Sequence, residues 1–365
     1  DVITLEDKVE VVRTGTQTGT DHLACDLLAI LLGRRERQQP PTGGEPPDRG
    51  AVEPAAAPLE PLEIQAKGAP VVATSAHAGI EARAARLGYE IATRRIVLDG
   101  DDPVSLVVKQ SEMEARKIDY CPGPPGSPGT LMAVGPGRLA SRPEQGRPEQ
   151  GRPMRVRWQQ SLRLRPDGAG HVVSIAGDAE VSVEGQGRLA GSEMHLWLDV
   201  AAEGGAPAPG DGPDLSRITP SRLLARGMVE ADAEQLEART DRLELWFRNA
   251  QAAAPATARP SAPAAAAPRS RQAGGAERPV NRISARAALV RGLVVMGPAG
   301  NQLEEMSMEG QVRLAEQVTT PEADGAPAES GLEIDGEQMQ VSRAAGPDAR
   351  AIVSGRPARV RGRGL

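Results

Sequence analysis

The apolar residues of this chain come in short stretches that alternate with polar ones. Val9-Glu-Val11, Ile96-Val-Leu98, Val104-Ser-Leu106-Val-Val108, Met154-Arg-Val156-Arg-Trp158, Leu162-Arg-Leu164, Val181-Ser-Val183 and Met194-His-Leu196-Trp-Leu198 all follow this pattern. A period of two places alternate side chains on opposite faces of an extended chain, so each stretch predicts a strand with one apolar and one polar face. No apolar run approaches the roughly 18 residues that a membrane-spanning helix needs. The one segment with a helical alternative is Ala231–Phe247, where Leu236, Leu243 and Trp246 could form a stripe. It resembles the other alternating segments and is read as strand.

Stretches rich in Pro, Gly and Ala separate the strand blocks. They bury too little apolar area to offset chain entropy, which predicts mobile, semi-extended spacers. The expected organisation is a partial repeat over 1–32, a linker over 33–60, a block over 61–120 and a Pro/Gly linker over 121–152. A block over 153–247, an Ala/Pro linker over 248–281 and a last block over 282–365 complete it. The second linker holds a tandem Arg-Pro-Glu-Gln-Gly duplication at 142–151, and smaller Pro/Gly-rich stretches interrupt the blocks at 199–214 and 319–330. Asp1 opens in a strand-like pattern and Leu365 follows one, as expected for a piece of a longer protein.

Composition narrows the function classes. Six aromatic residues in 365 leave few large side chains for a compact enzyme core. Lys and Arg number 43 against 49 Asp and Glu, so the basic footprint of a nucleic-acid binder is missing. Cys25 and Cys121 match neither a disulfide framework nor a zinc knuckle, and whether they pair is left open.

The alternating segments share a loose repeat of apolar strand, turn, Leu-x-Ala or Leu-Ala, and second strand. It recurs at Val9–Leu31, Gly177–Leu198 and Gly227–Leu245, and in part at Gly292–Leu303. A lone hairpin cannot bury its apolar face, so repeated hairpins imply stacking.

This pattern, Gly-x-Val-x-Val, turn, Leu-x-Ala-x-x-Leu-x-Leu, together with Gly68–Tyr120, resembles the OstA-like (organic-solvent-tolerance-like) family of lipopolysaccharide-transport periplasmic proteins. The resemblance covers the strand-rich parts, about two-thirds of the chain. It implies an antiparallel β-jellyroll opened into a V-shaped groove that holds lipid acyl chains, stacked edge to edge with other β-jellyroll proteins. It further implies a periplasmic or cell-envelope location in a Gram-negative-type bacterium, and lipopolysaccharide or another envelope lipid as partner. The chain departs from the family in its longer Pro/Ala linkers, its larger number of repeat units and its small inner residues.

Candidate chemistry is sparse. His22 and Cys25 are the one near-pair of metal-type ligands, and an offset of three on a strand points them to opposite faces. Asp99-Gly-Asp-Asp-Pro103 lacks the twelve-residue acidic pattern of a calcium loop and is read as a hairpin turn between two strands. No phosphate loop, dinucleotide fingerprint or nucleophile elbow occurs, and no cofactor or metal is expected. Arg359, Arg361 and Arg363 lie on one face of an alternating strand, read as a charged outer face that discourages aggregation in preference to a contact for lipid phosphates or a partner's acidic edge.

The expectation is therefore an all-β, non-enzymatic protein. Its one candidate site is an apolar, lipid-facing interior of Ile96, Leu98, Leu106, Val108, Val181, Val183, Met194, Leu196, Leu198, Leu243 and Leu245. The alternative is a structural envelope or surface scaffold in which the same residues are closed core.

Overall fold

The computed structural model describes residues 1–15, 19–34, 59–76, 79–123, 129–141, 152–168, 170–200, 218–233, 236–249, 282–297, 300–317, 330–343 and 350–362. Every regular element among them is a strand, as the alternation predicts, and the described residues of Ala231–Phe247 are strand as well. The chain divides into two compact units.

The first unit contains β1 (Val2–Gly15), β2 (Gly19–Arg34), β3 (Leu59–Ser75), β4 (Ile80–Glu90), β5 (Arg95–Val108), β6 (Ser111–Cys121), β7 (Thr130–Val134), β8 (Gly137–Ser141) and most of β10 (Ser161–Asp167). Strands β1 to β6 form an antiparallel meander. Strand β7 then pairs with the Lys117–Cys121 half of β6, and β8 with the Ser111–Glu114 half. Strand β10 adds to β7.

The second unit contains β9 (Met154–Trp158), β11 (Gly170–Val183), β12 (Gly187–Val200), β13 (Ile218–Ala233), β14 (Leu236–Asn249), β15 (Arg282–Gly297), β16 (Gly300–Gln317), β17 (Ser330–Ser342), β18 (Arg350–Ser354) and β19 (Arg359–Arg361). Strand β9 pairs with β11, and β11 to β14 form a second antiparallel meander. Strands β15 to β17 form a third, with β18 and β19 each on one half of β17. Where these two meanders join, β14 and β15 are parallel. This departs from the all-antiparallel expectation. A parallel pair needs a crossover of roughly a dozen residues or more, and the 250–281 connection exceeds that length.

Most of the long strands are interrupted near the middle. In the first unit the register shifts where Asp7 and Lys8 face Asp26, at Gly68–Pro70 against Ala85, and at Gly100–Pro103 against Arg116. In the second it shifts at Gly177 and Asp178 against Ser192, at Gly227 and Met228 against Asp241, and at Gly310 and Gln311 against Glu337. Each shift adds residues on one strand, and a bulged strand bends. Gly177, Gly227 and Gly310 have φ near +75° to +80°, and Asp178, Met228 and Gln311 follow with φ of 45–50°. Two successive left-handed residues fold the strand back sharply, and glycine adopts the first at least cost.

Side chains supply the hydrogen bonds that the ladder loses along this line. Asp26 accepts from the Ala69 N–H at 3.1 Å, and Ser192 Oγ donates to Gly227 O at 3.2 Å. Thr240 Oγ1 lies 2.9 Å from Ala288 O and 3.0 Å from Arg242 O. Paired backbone groups are the normal condition for buried chain.

The bulges also reset the phase of the alternation. Ala84 and Leu87 are both buried although three apart, as are Cys25 and Leu28, Ala115 and Ile118, and Ala287 and Val290. In an uninterrupted strand such pairs would face opposite ways.

Two sequence expectations change accordingly. Asp99–Pro103 is not a hairpin turn, because Ile96–Leu98 and Val104–Val108 both belong to β5 and pair with the same neighbours on either side of the kink. The stretch 121–152, expected as linker, contains β7 and β8. Leu131–Val134 alternates too briefly to stand out among the flanking prolines and glycines, but β6 gives it an edge to complete. The tandem duplication, nearly all of 33–60, all of 250–281 and Arg363 lie outside the described residues.

Candidate ligand-holding face

Antiparallel register brings the buried side chains into rows that cross the strands. In the first unit one row runs Leu5–Leu28–Ala66–Leu87–Leu98–Ile118–Ala133–Leu162. From Leu28 to Leu162 every member is buried, and Leu98 is fully inaccessible. Two residues further along each strand, on the same face, runs Ile3–Ile30–Ile64–Tyr89–Ile96–Tyr120–Leu131–Leu164. None of these eight is sealed: Ile3 is exposed and the rest are half-buried. A closed apolar layer thus grades into a partly open one of the same chemistry.

The second unit repeats the arrangement. Ile175–Met194–Ala225–Leu243–Val290–Met308–Met339 is buried throughout. The adjoining row Val173–Leu196–Leu223–Leu245 is half-buried, then closes at Gly292 and Met306. Beyond the bulges, Val181–Leu189–Ala231 is half-buried and continues into the buried Ala238–Ala285–Leu314–Ile334.

The residues singled out from sequence therefore fall into two groups, one in each unit. Leu98, Leu106, Met194 and Leu243 are buried, while Ile96, Val108, Val181, Val183, Leu196, Leu198 and Leu245 are half-buried. The structure adds neighbours that the sequence did not mark, notably Leu28, Leu87, Ile118, Val290, Met308 and Met339. Their cue was alternation, but the phase resets at the bulges hid which face they share.

Tyr120 places its ring in the half-buried row of the first unit, where burial raises its phenol above the ordinary value. On the opposite face Arg95 grips Asp119, with Nε–Oδ1 at 2.9 Å and a second contact at 2.5 Å. That hydrogen bonding holds the Asp119 carboxyl below its ordinary value of 3.8. A carboxyl lowered by folding adds stability above its unfolded value and loses it as pH falls through the folded one. Asp119→Asn should therefore flatten the acid limb of stability below about pH 4, where the ordinary carboxyl titrates. Thermal melts of both proteins from pH 2 to 6 check this, and parallel acid limbs would refute it.

Also on that opposite face, a depression of about 550 Å³ lies over Gly88. Lys67, Arg86 and Arg95 line it against Glu63, Glu90 and Asp99, so its charges balance.

Among the described residues no three His, Cys, Asp or Glu side chains converge as metal ligands. His22 Nε2 instead lies 2.8 Å from Glu10 Oε1. Cys25 and Cys121 are both free thiols, and burial raises the pKa of Cys25.

The outer face of the second unit carries a grid that sequence reading missed. One row is Val172–Trp197–Arg222–Trp246–Leu293, the next Ser174–His195–Leu224–Glu244–Arg291 and the third Glu193–Arg226–Arg242–Leu289. Two of the three tryptophans sit here, on either side of Arg222. Only the register of five strands reveals the grid. No protein-family model matches the chain, and no curated protein matches it.

Proposed function

We propose that the chain is a non-enzymatic, lipid-handling protein of the cell envelope, similar to the OstA-like lipopolysaccharide-export family. In this reading it works in the periplasm of a Gram-negative-type bacterium. The observation that carries the proposal is the half-buried apolar row beside each sealed one. Ile64, Tyr89, Ile96 and Tyr120 in the first unit, and Val173, Leu196, Leu223 and Leu245 in the second, form in-register strips that water reaches. Acyl chains of lipopolysaccharide or another envelope lipid would gain by covering such strips, at about 25 cal/mol per Å² of apolar surface removed from water. Tyr89 and Tyr120 would put hydroxyls at the wet boundary, where amphipathic rings are favoured.

Edge strands supply the partner surface in this reading. Val2, Ile3, Leu5, Val11 and Val12 are exposed along β1, and Ile352 and Val360 along β18 and β19. Among the described residues β1, β18 and β19 each pair on one side alone, and such edges accept another β protein by strand addition. The sealed rows favour the alternative, a structural scaffold with a closed core.

Leu196→Asp and Ile96→Asp separate the two readings, since both positions are half-buried and tolerate a charge better than the sealed rows. Native mass spectrometry of the chain from a Gram-negative envelope fraction should find lipid on the parent protein. The variants should lose most of it while keeping strand-rich circular dichroism. Lipid-free parent protein, or variants that retain lipid, would favour the scaffold.

A further inference from the structure

We infer that the outer grid of the second unit binds a phosphate-ester anion, held by Arg226 and Arg242 with the neutral body of the ligand against Trp246. This inference is independent of the lipid reading of the opposite face.

The charges of the grid do not cancel. Glu244, buried in its centre, is paired by Arg242, with Arg222 at 3.8 Å and Arg291 at 4.0 Å. Glu309 lies 2.6 Å from Arg291, and Glu193 lies 2.9 Å from His195. The carboxylates are thereby occupied. Arg226 is left with no hydrogen-bond or ion-pair partner among the described residues, and it stands directly across from Arg242. Like charges directly opposed on neighbouring strands destabilise a sheet; Glu244 offsets the Arg242 member of this pair, and Glu193, across from Arg226 on its other side, is turned to His195. Arg222 also keeps a buried Nε–H without a partner among the described residues.

An anion would meet all of these groups. Arg226 and Arg242 stand on adjacent strands whose backbones lie roughly 5 Å apart, and a guanidinium is a fork suited to phosphate oxygens. Four residues along β14 from Arg242, Trp246 remains partly exposed. It is tethered on one side by Arg222, 5.6 Å from its ring centroid. Trp197 is fixed by donating to Asp167 Oδ2 at 2.8 Å, with Arg222 at 4.8 Å. The exposed part of the Trp246 indole offers apolar surface to the body of a ligand. A sugar phosphate and a phospholipid headgroup share this chemistry.

Arg226→Gln on the full chain is the test. Tryptophan fluorescence, to which the partly exposed Trp246 contributes, is titrated with glucose 1-phosphate, inorganic phosphate and glucose. Sedimentation with phosphatidylglycerol vesicles is compared with phosphatidylcholine vesicles. At least one phosphate-bearing probe should bind in a salt-sensitive way, and Arg226→Gln should weaken it tenfold or more. The thermal midpoint should hold or rise, because a repulsion has been removed. Trp246→Leu should weaken glucose 1-phosphate or the vesicles but leave inorganic phosphate unchanged. Binding of glucose 1-phosphate assigns a soluble ester, and binding of the anionic vesicles alone assigns a lipid headgroup. The inference is overturned if no phosphate-bearing probe binds, if glucose binds as tightly as its phosphate, if Trp246→Leu changes neither glucose 1-phosphate nor vesicle binding, or if Arg226→Gln leaves affinity unchanged.

Discussion

Leu98→Ala is expected to destabilise the first unit by about 2–5 kcal/mol, the range for deleting a fully buried leucine side chain. Leu98 has no accessible surface, and its cross-strand neighbours Leu87 and Ile118 are themselves buried. Nearby row members are alanines: Ala66 and Ala133 have no rotamers with which to refill the space. The loss should therefore sit at the upper end of the range, since the cost grows with the cavity that remains. Urea unfolding followed by far-ultraviolet circular dichroism measures it, with the exposed Leu62→Ala as reference. Equal midpoints for the two variants would mean that the sealed row is not close-packed.

Gly187→Ala should be the most damaging single-methyl addition in the second unit. Gly187 opens β12 with φ at +132°, a conformation that L residues rarely adopt. A Cβ there would lie 2.2 Å from Asp232 O and 2.9 Å from Ala233 Cα, both backbone atoms with no rotamer to move. The substitution should open the end of the β12–β13 pair, with faster amide exchange across Arg188–Ala190 and Ala231–Asp232. Gly168→Ala makes the informative comparison. Its φ of +60° carries strain of about 1 kcal/mol, but its Cβ meets nothing within 4 Å. Matching losses at the two sites would show that conformation alone, and not the clash, sets the cost.

Strand content was legible in the sequence because period-two alternation is a local property. Met154–Trp158 and Met194–Leu198 declare themselves within five residues, and the Gly185–Gly187 turn lies where its glycines suggested. The kink in β5 was not legible. Asp99–Pro103 has the composition of a turn, and only the partners on β4 and β6 distinguish a turn from a mid-strand bulge. The apolar candidates were found because each belongs to an alternating run. Their division into sealed and half-buried rows depends on distance from the bulge line, which no single strand encodes. Arg226 and Arg242 lie sixteen positions apart on different strands, and each alone reads as an ordinary solvated charge. Pairing register makes them a site.

The parallel seam between β14 and β15 bears on how the second unit assembles. On either side of it, each strand meets its partner through a connection that returns the chain beside itself, so both meanders can zip from local contacts. The seam instead joins Leu236 to Ile283 and Asn249 to Met296 at a constant separation, closing one large loop in a single step. Such closure must bear its entropy before any contact rewards it, which makes distant pairing slow. The unit is therefore expected to fold as two half-sheets that join late. Chains cut within 250–281 should still yield halves that find each other in trans, at a rate set by concentration rather than by the connection.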